Sequence, residues 1–186
     1  MSHRAASWRS RADFRQADGV LLVLRDPPVP PPPAKGQPPM VPGNPIEGAE
    51  IVLALVHERP GRASVVVLAG HVDLGTGIST AYAQIVAEEL DWPLEQVHVV
   101  LGDTGRAPNQ GPTIASTSIQ IHAQPLRAAA AQARQWLLAQ VAQRWVVPVE
   151  RLHTAAGQVM GPAGQTMPVA DLLANGHAEL QLDLAT

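Results

Sequence analysis

The sequence predicts an α+β fold in two layers, in which a mixed β-sheet has two main helices on one face. Two β-rich runs joined by a Pro-Gly turn predict the start of the sheet. Two segments with a helical apolar period predict the helices, and each is followed by a similar return into a strand. The 186 residues, of which 46% are hydrophobic, are enough to form one core.

The first part of this fold is a hairpin followed by a helix. Residues 51–57 and 63–70 are rich in β-branched and aliphatic side chains, and the sequence ERPGR between them predicts a turn. We expect the next helix to be capped by Ser79 or Thr80 and to end before Pro93.

A further strand, the longest helix and a short final region complete the pattern. Residues 96–102 alternate as a strand does, and the longest helix is expected to start near Pro125. Its apolar stripe consists of Leu126, Ala130, Ala133, Leu137 and Val141. Residues 157–176 predict a small hairpin and a short helix. Residues 177–186 predict a strand whose free edge would accept a partner.

The two helix-to-strand returns form an internal repeat. The first is WPLEQVHVVLG and the second is VVPVERLHTAAG. Both place a proline, an apolar residue and a glutamate between a helix and a strand that ends at glycine. This similarity predicts two helices packed against one face of a shared sheet.

Residues 1–49 differ in composition from the rest and are predicted to form a proline-rich extended or disordered segment. More than half of the 18 prolines lie between Pro27 and Pro45. Such a tract favours polyproline conformations and acts either as a spacer or as the ligand of a partner module. Within this segment only residues 19–26 have the pattern of a strand.

Charge and cysteine content exclude several functions. The formal net charge of −3 and the pI near 6.1, with no run of basic residues, argue against a nucleic-acid partner. The absence of cysteine excludes disulfides, thiolate metal sites and iron–sulfur ligation by these residues. The apolar runs are too short to cross a membrane and no secretory signal is visible, so we expect a cytoplasmic location.

The sequence HVDLGTGIST contains the first candidate binding site, the glycine turn Gly75-Thr76-Gly77. Two glycines before a helix permit positive φ angles and would present N–H groups to an anionic or polar ligand. The dinucleotide pattern fails because Thr80 occupies the place of its third glycine, and the phosphate-binding loop fails because no Gly-Lys-Ser/Thr follows. An ordinary turn remains the alternative.

The second candidate site is the hydroxyl segment, defined here as residues 113–118. Thr113, Ser116 and Ser118 lead into the longest helix with few bulky side chains between them. They act either as helix caps or, if they converge, as ligand donors.

Titratable side chains offer weaker candidates. The seven histidines have no metal-ligand spacing, and we expect surface or strand positions for most of them. Asp73, Asp103, Glu88 and Glu89 are the carboxylates most expected to matter, with turn capping predicted for Asp103 and solvation for the two glutamates.

Taken together, the two candidate sites resemble a known family. The stretches GHVDLGTGISTAYAQIVAEELDWPLEQVHVVLGDT and PNQGPTIASTSIQIHAQPLRAAAAQAR are similar to the molybdopterin-binding subunit of the xanthine dehydrogenase/aldehyde oxidase family. The likeness points to its bacterial branch of nicotinate dehydrogenase and isoquinoline oxidoreductase subunits. The sequence similarity is strong over residues 65–155 and weaker from there to residue 186. It implies that residues 50–186 form a partial molybdopterin-binding domain, the N-terminal portion of that subunit.

The resemblance implies cofactor contacts for both sites. Gly75, Thr76 and Gly77 would lie beside the molybdenum centre, where the family commonly has glutamine at the middle position. The hydroxyls of the second segment, on Thr113, Ser116 and Ser118, would bind the pterin and phosphate portion of the molybdenum-pterin cofactor. Ala123 stands where the family usually has glycine.

The activity implied is that of a molybdenum hydroxylase, which oxidatively hydroxylates an N-heteroaromatic or aldehyde substrate with water as the oxygen source. The implied partners are the remaining molybdopterin-binding polypeptide and an iron–sulfur subunit. The family's catalytic glutamate lies in a GxGE-type motif that these residues lack, so no catalytic residue or metal ligand is assigned and we expect no activity from the chain alone. The alternative is a non-catalytic truncated fragment or a structural or interaction subunit of such a complex.

Overall fold

The computed structural model describes residues 10–25, 35–36 and 51–184, and all structural statements refer to these residues. Five strands form one mixed sheet in the order β4-β3-β2-β1-β8. Their bounds are Val20–Arg25 (β1), Ile51–Arg59 (β2), Arg62–Ala69 (β3), Val97–Leu101 (β4) and His177–Gln181 (β8). β2 pairs antiparallel with β1 and β3, whereas β4 and β8 are parallel to their neighbours. The predicted mixed sheet of an α+β fold is confirmed.

Three short strands form a second, antiparallel sheet, and five α-helices accompany the two sheets. The strands of the second sheet are His153–Ala155 (β5), Gln158–Met160 (β6) and Thr166–Pro168 (β7). The helices are Arg11–Gln16 (α1), Ile78–Leu90 (α2), Thr117–Gln120 (α3), Ala123–Trp145 (α4) and Val169–Leu173 (α5).

Both faces of the three central strands, β1 to β3, are largely buried, which explains why these strands are almost continuously apolar. Leu21 and Val23 of β1 belong to one core cluster, whereas Leu22 between them belongs to the other. The first cluster includes side chains of α2, α4 and α5, so the prediction of two main helices on one face is confirmed. The second cluster includes Phe14 of α1, which is fully buried.

The longest helix packs through the predicted stripe, in which every member is buried. These residues are Leu126, Ala130, Ala133, Leu137 and Val141. Two of the five positions are alanine, which keeps part of this helix surface short. α4 packs against α2 over the same sheet face.

The two returns of the internal repeat enter different sheets, although α2 and α4 pack on one face of the large sheet as predicted. Both α2 and α4 end at a left-handed residue, Asp91 and Val146, and both continue through a proline into a short 3-10 helix. The first return enters β4 of the large sheet, but the second enters β5 of the small sheet. The cause is local, because residues Ala156 and Gly157 both have positive φ and form a tight turn that pairs β5 with β6.

The predicted helix starts also need correction. α2 has Gly77 as its N-cap residue, so neither Ser79 nor Thr80 caps it. α4 begins at Ala123, two residues before Pro125, and no side chain caps its first turn.

The strands predicted near the two ends of the chain are present. β1 lies between β2 and β8, so residues that precede the proline-rich tract contribute to the same sheet as the later strands. β8 occupies an edge of the described sheet, as a strand with a free edge would. The extended conformation predicted for the proline-rich tract falls on residues outside the described part of the chain. Within the described ranges, no helix is both long and apolar enough to span a bilayer.

Val146 offers a test of this backbone geometry. It is 89% exposed and has φ of 56°, a left-handed conformation that strains a β-branched residue. Because glycine adopts this conformation without a side-chain clash, Val146→Gly is expected to raise the free energy of unfolding by about 1 kcal/mol. Denaturant unfolding measures the change. Val149→Gly, at an exposed valine without positive φ, should instead lower stability, and equal losses in both variants would contradict the assignment.

Candidate functional site

The carboxylate of Asp73 organises the glycine turn. Its Oδ1 atom accepts hydrogen bonds from the backbone N–H groups of Gly75 (2.9 Å), Thr76 (2.9 Å) and Gly77 (3.1 Å). Its Oδ2 atom accepts a hydrogen bond from the Ser79 N–H at 3.3 Å. One side chain therefore binds the donors of both the turn and the first turn of α2.

This contact explains why α2 needs no cap from its N-cap residue, since Asp73 satisfies donors that a capping side chain would otherwise bind. The hydrogen bond from Ser79, followed by those from Gly77, Gly75 and Thr76, holds the pKa of Asp73 below its ordinary value. The turn N–H groups thus have an acceptor within the chain, which the sequence analysis did not anticipate.

The glycines leave an open surface in front of the turn. Gly75 and Gly77 have φ of +89° and +76°, and a Cβ atom added to either would meet no other atom within 4 Å. Thr76 between them is exposed, and Leu74 is 70% exposed. Positive φ is therefore what requires glycine here, and the space beside the turn is free for a ligand.

A close approach between two backbone segments occurs at Gly70, the residue after β3. A Cβ atom on Gly70 would lie 2.1 Å from the carbonyl oxygen of Pro108. The Gly70 N–H donates to Oε1 of Gln110 at 2.8 Å. The loop between β4 and α3 therefore crosses directly over the end of β3, a contact that the sequence analysis missed.

This crossing brings part of the hydroxyl segment to the glycine turn. The Val72 N–H donates to Oγ1 of Thr113 at 3.0 Å, and the Tyr82 hydroxyl of α2 donates to the carbonyl oxygen of Ser118 at 2.8 Å. Ser116 is exposed, whereas the side chain of Ser118 is buried. The structure thus places Thr113 beside the turn and fixes Ser118 against α2.

Two histidines are exceptions to the expectation that most histidines occupy surface or strand positions. His71 is fully buried and His122 is 4% exposed. Their rings meet edge to face with centroids 4.3 Å apart. Burial lowers the pKa of His71, and burial together with His71 lowers the pKa of His122 to about 4. The available sequence signal was their positions, four residues before the glycine turn and four residues after the hydroxyl segment.

The remaining carboxylates have structural contacts. Asp103 accepts hydrogen bonds from the Gly105 N–H and from Nε of Arg106, at 3.0 and 2.6 Å, and so caps its turn as predicted. Glu89 is not simply solvated as predicted, because its carboxylate accepts a hydrogen bond from Nε of Arg127 on α4 at 2.8 Å. Among the described residues, no cluster of three or more histidine, aspartate or glutamate side chains would hold a metal ion.

Fold and site together define a ligand-binding domain, in which a glycine turn and a hydroxyl segment are adjacent beside a helix-covered mixed sheet. The family model described as the molybdopterin cofactor-binding domain matches residues 43–185, and the chain belongs to this family. The resemblance to molybdopterin-binding subunits and the molybdenum-pterin cofactor predicted from it are confirmed.

Two curated relatives are similar in sequence. A nicotinate dehydrogenase subunit of Pseudomonas putida is 47% identical over 175 residues, which cover 93% of this chain. The beta subunit of isoquinoline 1-oxidoreductase of Brevundimonas diminuta is 36% identical over 96 residues, which cover 48% of this chain. The matched regions span only 14% and 12% of those two relatives.

Two solved structures share the fold. Quinoline 2-oxidoreductase from Pseudomonas putida 86 matches 59% of this chain with a TM-score of 0.52 and 24% identity. The Cu,Mo-CO dehydrogenase matches 60% with the same TM-score and identity. This chain corresponds to 14% of each of those chains, and the likeness supports the fold alone.

The crossing at Gly70 predicts a large effect from one methyl group. In Gly70→Ala the added Cβ would overlap the Pro108 carbonyl, so the loop backbone must move, with a loss of about 1–3 kcal/mol in the free energy of unfolding. Denaturant unfolding measures this loss. Gly176→Ala, where an added Cβ meets no atom within 4 Å, is the matched control and should cost little. Equal stability of the two variants would show that the loop does not cross there.

The role of Asp73 predicts a specific loss of order in the glycine turn. Asp73→Ala removes the acceptor of four N–H groups, so hydrogen exchange at Gly75, Thr76 and Gly77 should accelerate and the melting temperature at neutral pH should fall. Glu88→Gln, at an exposed position of α2, is the control that should leave both unchanged.

The same contact predicts how this difference in melting temperature depends on pH. The folded pKa of Asp73 is depressed, so its contribution is complete above the ordinary value of 3.8 and is lost as pH falls through the folded value. The melting temperatures of wild type and Asp73→Ala should therefore converge in acid. A difference that persists there would contradict a role for the carboxylate charge.

Proposed function

We propose that this chain contributes one side of the molybdenum-pterin cofactor site of a molybdenum hydroxylase. The observation that supports the proposal most is the hydrogen bond from the Val72 N–H to Oγ1 of Thr113. It links Val72, three residues before the glycine turn, to the hydroxyl segment, although Gly77 and Thr113 are 36 residues apart in the sequence. Each segment alone is compatible with an ordinary turn or cap, whereas their convergence is what a shared ligand requires.

The residues at this surface fit such a cofactor. Gly75 and Gly77 leave a cradle without side chains, and Thr76 and Ser116 expose hydroxyl groups that donate and accept hydrogen bonds. Because the turn N–H groups donate to Asp73, hydroxyl and carbonyl groups would supply the direct contacts. When bound, the cofactor supplies the redox centre, and this chain supplies only its binding and orientation.

The individual hydroxyls would have different roles. The hydroxyl of Thr76 is short compared with the glutamine common in the family and would reach the metal centre through a water molecule. Thr113 would position the hydroxyl segment while its hydroxyl hydrogen remains available to the cofactor. Ser118, with a buried side chain, would act through the backbone that Tyr82 holds in place.

Four exposed apolar side chains lie in or next to the two segments of the proposed site. They support the proposal that a second polypeptide covers this surface. They are Val72 (42% exposed), Leu74 (70%), Ile114 (54%) and Ile119 (42%). A group of this kind marks a surface that another protein segment covers. We assign that segment to the remaining molybdopterin-binding polypeptide, since the chain spans 14% of the related nicotinate dehydrogenase polypeptide. An iron–sulfur subunit would accept the electrons, because this chain has no cysteine to ligate a cluster.

The names of the relatives favour an N-heteroaromatic substrate over an aldehyde. Nicotinate and isoquinoline both contain an aromatic ring with a nitrogen atom. The proposed reaction is oxidative hydroxylation of such a ring with water as the oxygen source. The general base would come from a polypeptide other than these residues, which lack a GxGE-type motif.

A non-catalytic fragment or structural subunit of such a complex is the second candidate. Thr76 in place of glutamine is the observation that favours it. Under this alternative the chain keeps the fold and associates with other subunits without contacting the cofactor.

Filling the cradle distinguishes the two candidates. Thr76→Trp places a large side chain at an exposed position in front of the glycines, where it would exclude the cofactor without disturbing the core. We expect the complex purified with this variant to lose most of its molybdenum and pterin, measured by elemental analysis and by pterin fluorescence after release. Gln143→Trp, at an exposed position of α4, should retain both. Full molybdenum content in Thr76→Trp would favour the structural subunit.

A further inference from the structure

A buried pair of histidines joins the two segments of the proposed site. His71 lies four residues before Gly75 of the glycine turn, and His122 occupies the N-cap position of α4, just after the hydroxyl segment. The rings are in contact with centroids 4.3 Å apart and planes at 76°. Both side chains are buried, so this contact forms part of the packing that sets the position of one segment against the other.

The hydrogen bonds of His71 fix its neutral tautomer. Its Nε2 atom lies 3.2 Å from the carbonyl oxygen of Gln110, which only accepts hydrogen bonds, so Nε2 holds the proton. The Nδ1 atoms of His71 and of His122 are both buried, and neither has a hydrogen-bond partner among the described residues. A proton added to Nδ1 of His71 would therefore create a buried N–H without an acceptor and a buried charge.

Among the described residues, the side chains that line the small cavity beside His122 include no carboxylate that would offset the charge of a protonated ring. A cavity of about 10 Å³ beside His122 has room for at most one water molecule. Its other lining residues are Val52, Val67, Leu68 and Ala69 of β2 and β3, Tyr82 of α2, Gln110 of the loop and Leu126 of α4.

Tyr82 and Gln110 are the polar side chains in this lining besides His122, and neither is charged at neutral pH. Burial raises the pKa of Tyr82 to about 12, so it stays neutral. Asp73 is the acidic residue nearest to His71 in the sequence, but its oxygens accept hydrogen bonds from the turn. The N-terminal end of α4 adds a partial positive charge at His122, which disfavours protonation further.

We propose that His71 and His122 form a positioning element that holds the glycine turn against the hydroxyl segment while both rings are neutral, and that lets the segments separate when either ring takes up a proton. A protonated ring would be drawn toward water, and edge-to-face contact with its neighbour would then be lost. Separation would break the hydrogen bonds of the Gly70 and Val72 N–H groups to Gln110 and Thr113.

The direction of the pH effect follows from burial. Burial depresses the pKa of both rings below 6.5, and that of His122 to about 4. The pair therefore stabilises the fold fully above pH 6.5, and this contribution is lost as pH falls through the two depressed folded pKa values, of which that of His122 is about 4. For the cofactor, a consequence that rests on the proposed function, the same protonation would weaken binding in acid.

A pH titration of the isotope-labelled chain followed by NMR tests the positioning role without any cofactor. We expect the imidazole signal of His122 to titrate near pH 4 and the amide signals of Gly70 and Val72 to change with the same midpoint. Amide signals in the middle of α4 should keep their folded positions at that midpoint, which separates local opening from global unfolding.

Matched variants complete the test. His122→Phe keeps an aromatic ring but removes one of the two titrating imidazoles, so the part of the change at Gly70 and Val72 that has its midpoint near pH 4 should be lost. His153→Phe, at an exposed histidine of β5, should leave the wild-type profile unchanged. Constant Gly70 and Val72 signals while His122 titrates, or an unchanged profile in His122→Phe, would overturn the proposal.

If His122→Phe does not fold, the coincidence of the midpoints in the wild type decides by itself. Because no cofactor is present in this titration, its failure leaves the proposed function intact. Loss of molybdenum binding in the cradle variant tests that function separately.

Discussion

The candidate site depends on one constraint, the passage of the loop after β4 over the end of β3. At Gly70 the loop backbone is so close that no side chain fits, and Gln110 secures the crossing through its side chain. From this point the chain continues to Thr113 beside the glycine turn and to His122 against His71. Without the crossing, the two segments would belong to separate parts of the surface and no common ligand would contact both.

The second determinant is the carboxylate of Asp73, which sets the shape of the glycine turn before any ligand arrives. Four N–H groups converge on it, so the turn and the start of α2 are ordered by the chain's own chemistry. A site formed in advance loses less conformational entropy on binding than one that must fold around its ligand. Because Asp73 already binds the turn N–H groups, a ligand would be bound by the hydroxyls and in the open space beside Gly75 and Gly77.

Periodicity predicted the parts of the structure that are determined by local burial. The structure contains the predicted hairpin, both long helices and every buried residue of the α4 stripe. These elements were predictable because the apolar residues of each follow a regular strand or helix period. The two candidate segments were also selected from the sequence, and their role in binding stays a prediction. The contacts of Gly70 and the His71–His122 pair were not, because they exist only where distant segments cross. The small second sheet was likewise not predicted, because its formation depends on the local turn at Ala156 and Gly157 that pairs β5 with β6.

The most direct test of the central claim is a cryo-electron microscopy structure of the assembled complex that contains this chain. The account predicts the pterin cofactor against the open side of Gly75–Gly77, within hydrogen-bond reach of the hydroxyl segment, with a second polypeptide over Leu74 and Ile114. A cofactor enclosed by other segments, with the glycine turn facing solvent or a subunit contact far from it, would contradict the account.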